Sequence, residues 1–329
     1  MTSRILDLTA GVTMVVSDLH GDREAFGRYV GRFLQLYTRK RVQRLLILGD
    51  LIHSELPESQ DQSLPLVLDV MRMQNALPPG AVIMLLGNHE MPHLYSVSLA
   101  KGKVEYTPRF EKALTASGQR EDILNFFDSL PFYVRTAAGV LFTHAGPDGG
   151  AMANLHLLRD LDHQAVIAEF AHALALHPNS DKLRELYSET MGMPYEMLAR
   201  YYLAVSGPDD PRYDNLIRAY MIGQQSHEFQ VLWDALFTRC EQATPAALYE
   251  RLVSYFLATL SEDAPAPQQF LVSGHIGVSG GHSVVTPQHL RIASATHAHP
   301  RNAGQYLLLD FGRPVESMDA LVAGLGSVF

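Results

Sequence analysis

Three short apolar runs punctuate the N-terminal part of the chain, and each ends in a polar cluster. VTMVVS at 12–17 leads into SDLHGD, RLLIL at 44–48 into GDLIHSE, and AVIMLL at 81–86 into GNHE. Runs of this length bounded by turn residues read as buried strands. Between them, 22–38 and about 62–76 carry apolar residues at the spacing of a helix with one buried face. This strand–helix alternation predicts parallel strands with helical crossovers. Ligands of such sheets gather beyond the carboxyl ends of strands, where all three polar clusters fall.

Further strands are predicted at 132–136 (FYVRT) and 140–143 (VLFT), joined by an Ala-Ala-Gly turn, the second running into HAGPDGG. Residues 151–260 read as helical, broken at GMP (192–194) and SGPDDPR (206–212). After the Pro-rich SEDAPAPQ (261–268), strands resume at 269–273, about 283–286, 289–294 and 305–310. A chain of 329 residues allows one large domain or two small ones. The economical arrangement is a single α/β domain over 1–329, built from 1–150 and about 233–329, with a helical insertion at 151–232.

Composition narrows the class. With 47% hydrophobic and 19% charged residues, a chain this long buries about 75% of its unfolded surface, which excludes a disordered protein or a disulfide scaffold. The lone cysteine, Cys240, excludes a Cys-based zinc site, fits a reducing compartment and is expected to be a small buried apolar residue. No charged-then-apolar leader and no apolar run near roughly 18 residues are present, so a soluble cytoplasmic protein with no membrane partner is expected. The formal net charge of −9 argues against a binder of nucleic-acid duplexes.

The chemistry sits in the polar clusters. His20, His89, His144 and His275 each follow a predicted strand beside Asp, Asn or Gly, and Asp18, Asp50 and Asn88 occupy similar places. Asp18, His20, Asp50, Asn88, His144 and His275 together offer only oxygen and nitrogen donors, a set that suits Mn, Fe or Zn. Asp18 and His20, two apart on an extended segment, can point to one side. Asp50 could bridge their ion to a second one held by Asn88, His144 and His275. Two such ions would stabilise attacking and leaving oxygens in hydrolysis at phosphorus. A lone DxH or GD after a strand is common without a metal; the whole series, in order, at strand ends is not.

In that series the sequence resembles the calcineurin-like metallophosphoesterases, and among them the bacterial phosphoprotein (Ser/Thr) phosphatases. The family's GDxHG, GDxVDRG, GNHE, HGG, GH and late SAPNY motifs have counterparts here in SDLHG (17–21), GDLIHSE (49–55), GNHE (87–90), THAG (143–146), SGHIGV (273–278) and SATHAHPRNAGQYLLLD (294–310). The resemblance covers about 1–150 and 233–310. It implies a four-layer α/β/β/α sandwich and two divalent ions, Mn first with Fe or Zn as alternatives. Asp18, His20 and Asp50 would hold one ion, and Asp50, Asn88, His144 and His275 the other. His89 would protonate the leaving oxygen. Asn88 would touch the phosphate, as would Arg239, in VLWDALFTRC, which resembles the arginine after an LW motif.

Departures from the family pattern bear on function. His53 stands where the family has the aspartate that orients the catalytic histidine, and Ser54 where it has a phosphate-binding arginine. A hydrogen bond from His53 to His89 would set two imidazoles against each other's protonation, and Glu55 is a candidate replacement carboxylate. His297 and Ala298 replace Asn and Tyr of the late motif; His297 and His299 could reach the metal cleft, but two histidines in a loop are more often solvated. His156, His163, His172 and His177 are spaced too irregularly for one metal face and are expected at the surface. The insertion is expected to narrow the cleft or mediate self-association.

The resemblance thus implies a phosphomonoesterase acting on phosphorylated proteins or small phosphate esters. Loss of arginine at 54 keeps open a phosphodiesterase or dinucleoside polyphosphate hydrolase of the same fold. A metal-bound binding module without strong catalysis is the third reading, opposed by the retained His89 and complete ligand set.

Overall fold

The computed structural model describes residues 3–101 and 104–329. Two sheets form its centre. One orders Leu325–Ser327, Gln305–Asp310, Val12–Val16, Arg44–Ile47 and Val82–Met84, the last three parallel as the strand–helix alternation predicts. The other orders Ile5–Leu8, Tyr133–Thr136, Val140–Thr143, Phe270–Ser273, His289–Ile292 and His282–Thr286. Val140–Thr143, Phe270–Ser273 and His289–Ile292 are parallel to one another.

Strand periodicity explains the layering. Val15, Leu46, Leu48, Ile83 and Leu85 of the first sheet share one apolar cluster with Val134, Val140, Phe142, Val272, Leu290 and Ile292 of the second, so the sheets pack face to face. The alternate residues Met14, Val16, Leu45, Ile47, Val82 and Met84 belong to a separate cluster with helices Arg23–Thr38 and Ser63–Ala76. Arg23–Thr38 starts where Asp22 accepts the Ala25 N–H at 3.0 Å, and it buries Phe26, Tyr29 and Phe33 on one stripe. On the second sheet, Leu141 and Leu271 join Tyr249, Val253, Phe256 and Leu257 of helix Ala246–Leu260. The result is the four-layer helix–sheet–sheet–helix sandwich that the resemblance implies.

Helices fill the stretch from Gly149 to Leu260. Leu155, Leu158, Val166 and Phe170 pack into the main helix-covered cluster, whereas Tyr195, Leu198, Tyr202, Tyr213 and Ile217 form a small cluster of their own. His163 departs from the expected surface position. Its ring is fully buried and meets the Tyr95 hydroxyl at 2.7 Å, because its helix turns that face onto the core. Cys240 is half-buried rather than buried, and its thiol donates to Asp148 Oδ2 at 3.2 Å. Among the described residues no helix is long and apolar enough to cross a membrane.

Candidate active site

The polar clusters meet at one place, across the carboxyl ends of strands from both sheets. Val12–Val16 delivers Asp18 and His20, Arg44–Ile47 delivers Asp50, and Val82–Met84 delivers Asn88 and His89; Val140–Thr143 delivers His144 and Phe270–Ser273 delivers His275. The turns that achieve this are strained. Nine described non-glycine residues have positive φ, and Asp18, His20, Asp50, His53 and His275 are five of them. Each such conformation costs about 1–3 kcal/mol and survives where the surroundings impose it. Two glycines permit the close approach: a Cβ on Gly87 would overlap Asp50 and Glu90, and one on Gly274 would overlap Asp18.

Glu90 braces the loop. Fully buried, it accepts the N–H groups of Leu51 at 2.8 Å, Asp50 at 3.0 Å, Gly87 at 3.2 Å and Ile52 at 3.3 Å. A carboxylate bound to successive amides of the turn holds Asp50 where its side chain must stand.

Hydrogen bonds on the outer ring nitrogens leave lone pairs facing inward. His20 Nδ1 donates to the Ile52 carbonyl at 3.0 Å and His144 Nδ1 to the Leu48 carbonyl at 2.8 Å, so Nε2 of each neutral ring is an acceptor. These atoms lie 3.7 and 3.5 Å from Asp50 Oδ2. His144 Nε2 also lies 2.8 Å from Asn88 Oδ1, which is itself 2.8 Å from His275 Nδ1. Two acceptors in such contact call for a cation between them. Asp50 Oδ2, His20 Nε2 and His275 Nε2 are buried with no hydrogen-bond partner. Three sets of donors converge within 4.8 Å: Asp18, His20 and His297; His20, Asp50 and His89; Asp50, His144 and His275. The residues therefore fit divalent metal.

Electrostatics agrees. Burial, then the charges of Glu90 and Asp18, push the Asp50 carboxyl well above its usual range. Burial, then His297, pushes His20 down to about 3, and burial, then His144, holds His275 well below its ordinary value. Asp18 alone goes the other way: burial opposes its charge, but His297 above all, with His144 and His20, holds it below the usual range. A cluster of neutral imidazoles around an uncompensated carboxyl is completed by positive charge.

Around this core the other expected residues take distinct places. The His89 backbone donates to Asp50 Oδ1 at 3.0 Å, and its Nε2 lies 3.9 Å from Asp50 Oδ2. His53 Nδ1 approaches His89 Nδ1 at 3.0 Å. Ser54 turns its hydroxyl to the Leu56 N–H at 3.1 Å, and Arg109 donates to the carbonyls of Ser54 and Leu56 at 3.2 and 2.7 Å. Glu55 accepts from the Tyr106 hydroxyl at 3.4 Å. Arg239 is exposed, immediately before helix Cys240–Ala243, and near enough for its charge to depress His275. His297 enters the cleft, with Nδ1 3.0 Å from Asp18 Oδ1, while His299 is exposed.

Sequence reasoning missed His93 and Glu111, which lie behind His53, and Arg291 beneath the His275 turn. His93 carried a signal, since it follows His89 at i+4 and so shares its side of a helical turn. Glu111 carried none that distinguishes it from other acids on amphipathic helices.

The sequence profile of the calcineurin-like phosphoesterases matches residues 12–202. Among solved structures, a cold-active protein tyrosine phosphatase is similar at 13% identity and TM-score 0.50, covering 97% of this chain and 82% of its own. A protein serine/threonine phosphatase from Saccharomyces cerevisiae is similar at 13% identity and TM-score 0.50, covering 98% and 82%. At such identities the likeness is one of fold. No curated protein matches the sequence. With its profile match spanning more than half of the chain and its polar clusters gathered at the strand ends, the chain belongs to the calcineurin-like phosphoesterases and is a phosphoric ester hydrolase.

Proposed function

We propose that the protein is a dinuclear metal-dependent phosphomonoesterase of the cytoplasm, acting on phosphoserine or phosphothreonine or on a small phosphate ester. The observation that supports this is the convergence of partnerless buried acceptors on Asp50 beside His89. Asp18, His20 and Asp50 would hold one ion and Asp50, Asn88, His144 and His275 the other, with Mn²⁺ as the first candidate and Fe or Zn as alternatives. Such ions would supply positive charge to neutralise the phosphate and to lower the pKa of a water that attacks it.

The chain's own groups supply the rest. Asn88 and Arg239 orient the phosphate, Arg239 through a planar fork that matches two oxygens at once. His89 presents Nε2 to the cleft and, as the imidazolium with Nδ1–H held by His53, delivers the Nε2 proton to the departing oxygen, so that no alkoxide has to leave unprotonated. His53 holds the far side of that ring. A second reading, hydrolysis of a diester or dinucleoside polyphosphate, draws on one observation: position 54 presents a hydroxyl already engaged with the Leu56 amide where an arginine would meet a dianion.

The test compares an aryl phosphomonoester with the matching diester, metal-stripped and with Mn²⁺ restored, in parallel with His89→Asn. Mn²⁺-dependent cleavage that favours the monoester is expected. His89→Asn should retain metal while slowing turnover by about 10²–10⁴-fold, most for esters with basic leaving groups. Faster diester cleavage would transfer the assignment to the second reading, and an equal loss for all leaving groups would remove His89 from the acid role.

A further inference from the structure

A line of buried polar groups runs from His89 away from the cleft into the interior. His53 Nδ1 is 3.0 Å from His89 Nδ1, His53 Nε2 is 2.7 Å from His93 Nε2, and His93 Nδ1 is 2.7 Å from Glu111 Oε1. Arg120 closes the line by donating to Glu111 Oε2. His53, His93 and Glu111 are 2%, 0% and 1% exposed. Aromatic rings sheathe them: Tyr106 stacks on His53 at 5.2 Å between centroids, and Phe110 meets His53 and His93 edgewise or tilted at 5.9 and 4.7 Å. Helix Met91–Tyr95 supplies His93, and helix Thr107–Ser117 supplies Phe110 and Glu111.

Proton bookkeeping gives this line a direction. Burial works against charge on Glu111, but its bonds with His93 and Arg120 hold the carboxyl below its usual value. An ionised carboxylate only accepts, so His93 Nδ1 carries a proton. Arg120 already balances Glu111, and a further cation at His93 would be uncompensated in a fully buried site. His93 Nε2 is therefore a lone pair, and His53 must donate to it through Nε2–H. That makes His53 Nδ1 an acceptor, which in turn requires the proton on His89 Nδ1. The remaining nitrogen of His89, Nε2, faces the cleft; it can give up a proton only when the ring is the imidazolium, whose Nδ1–H the His53 lone pair keeps in place.

We infer that Glu111 and His93 are positioning residues that act through His53, fixing the orientation and tautomer of His89 in place of a carboxylate in direct contact with it. The inference rests on the reading of His89 as proton donor. It explains why a chain with histidine at 53 keeps a working arrangement: the acceptor that orients His89 is supplied by two relayed imidazoles whose polarity is set at the far end.

Two experiments test it. In Zn²⁺-loaded protein with ¹⁵N-labelled histidine, ring nitrogen spectra should show His89 and His93 protonated on Nδ1 and His53 on Nε2. His53 protonated on Nδ1 would overturn the proposal, and this measurement does not depend on any variant folding. In the second, Glu111→Gln is made in two backgrounds. Arg120 demands the amide oxygen, so the glutamine turns its NH₂ toward His93 and reverses the line. The expected result is a 10- to 100-fold fall in kcat, with KM and metal content unchanged. In the His53→Asp background, a carboxylate oxygen takes the place of Nδ1 beside His89. There the same Glu111→Gln change should cost less than about 2-fold, because the two sites no longer communicate. Equal losses in both backgrounds would reduce Glu111 to a structural residue and overturn the inference. His89→Asn, measured alongside, separates this outcome from failure of the acid assignment, since that failure leaves the leaving-group dependence unchanged in the His89 variant itself.

Discussion

His289 shows how much of this interior depends on uncharged imidazole. It is fully buried, its Nδ1 meets the Tyr249 hydroxyl at 3.1 Å and its Nε2 the Ser273 hydroxyl at 2.8 Å. Burial pushes it down to about 3. The unfolded chain takes up this proton near pH 6.5, whereas the folded chain does not until about pH 3. Between those values the unfolded state holds more protons, so stability falls as pH falls, by up to about 1.4 kcal/mol per unit. Urea melts at pH 7 and pH 5 should therefore differ by about 2 kcal/mol from this group alone. His289→Gln, which keeps a donor and an acceptor, should remove that share of the slope; an unaltered slope would show that the proton is taken up elsewhere. The gathering of the cleft residues at one place was largely legible in the sequence because they follow apolar runs at fixed places. His289 was not, since a histidine inside a strand gives no sign of whether its ring faces core or water. The same ambiguity hid the burial of His163.

At the scale of elements, a short helix is tied to the second sheet by a buried ion pair. Arg291, on His289–Ile292, is 1% exposed and donates to the Gly274 carbonyl at 2.9 Å and to the Ser273 hydroxyl at 3.4 Å, while its remaining arm pairs with Glu241. Burial pushes this guanidinium down to about 9. Glu241 belongs to helix Cys240–Ala243, and Arg239 immediately precedes it. The pair thus anchors the short helix that Arg239, proposed as a phosphate contact, immediately precedes. Glu241→Gln should destabilise the fold by about 3 kcal/mol, because a buried cation loses its nearest carboxylate, and should raise KM for a phosphate ester several-fold with a smaller change in kcat. A folded variant with unchanged KM would disconnect the tether from Arg239. The long strands and the helices at 23–38 and 63–76 were readable from periodicity. The edge strands Ile5–Leu8 and Leu325–Ser327 were not, since four residues carrying Asp7 and three flanked by glycine hold too little pattern to register. The tether is invisible to periodicity for another reason: its partners lie 50 positions apart.

Viewed as a whole, the molecule is two sheets packed through an apolar layer, with the polar clusters gathered at strand ends from both. Asp18, His20, Asp50 and Asn88 come from the first sheet, His144 and His275 from the second. Bringing them together requires strained turns and leaves buried acceptors facing one another. Each of these costs works against folding in the metal-free chain. Metal that binds the folded chain and not the unfolded one offsets them, by about 2.7 kcal/mol per site at 100 times the dissociation constant. For a chain of this size each kcal/mol moves the melting temperature by about 2–4 °C, so chelation should lower Tm by roughly 5–20 °C and Mn²⁺ should restore it. Since the candidate ligands come from both sheets, the loss should be local as well as global. Amide exchange should quicken at the carboxyl ends of Val12–Val16, Arg44–Ile47, Val140–Thr143 and Phe270–Ser273, while helix Ala246–Leu260, which packs on the outer face, should change least. Asp50→Asn places its substitution in both donor sets that include Asp50, and should reproduce most of the chelation effect in the presence of Mn²⁺ while abolishing turnover. An Asp50→Asn protein that melts with the metal-loaded parent and turns over normally would deny Asp50 its bridging place, and with it the idea that metal joins the two halves of the sandwich.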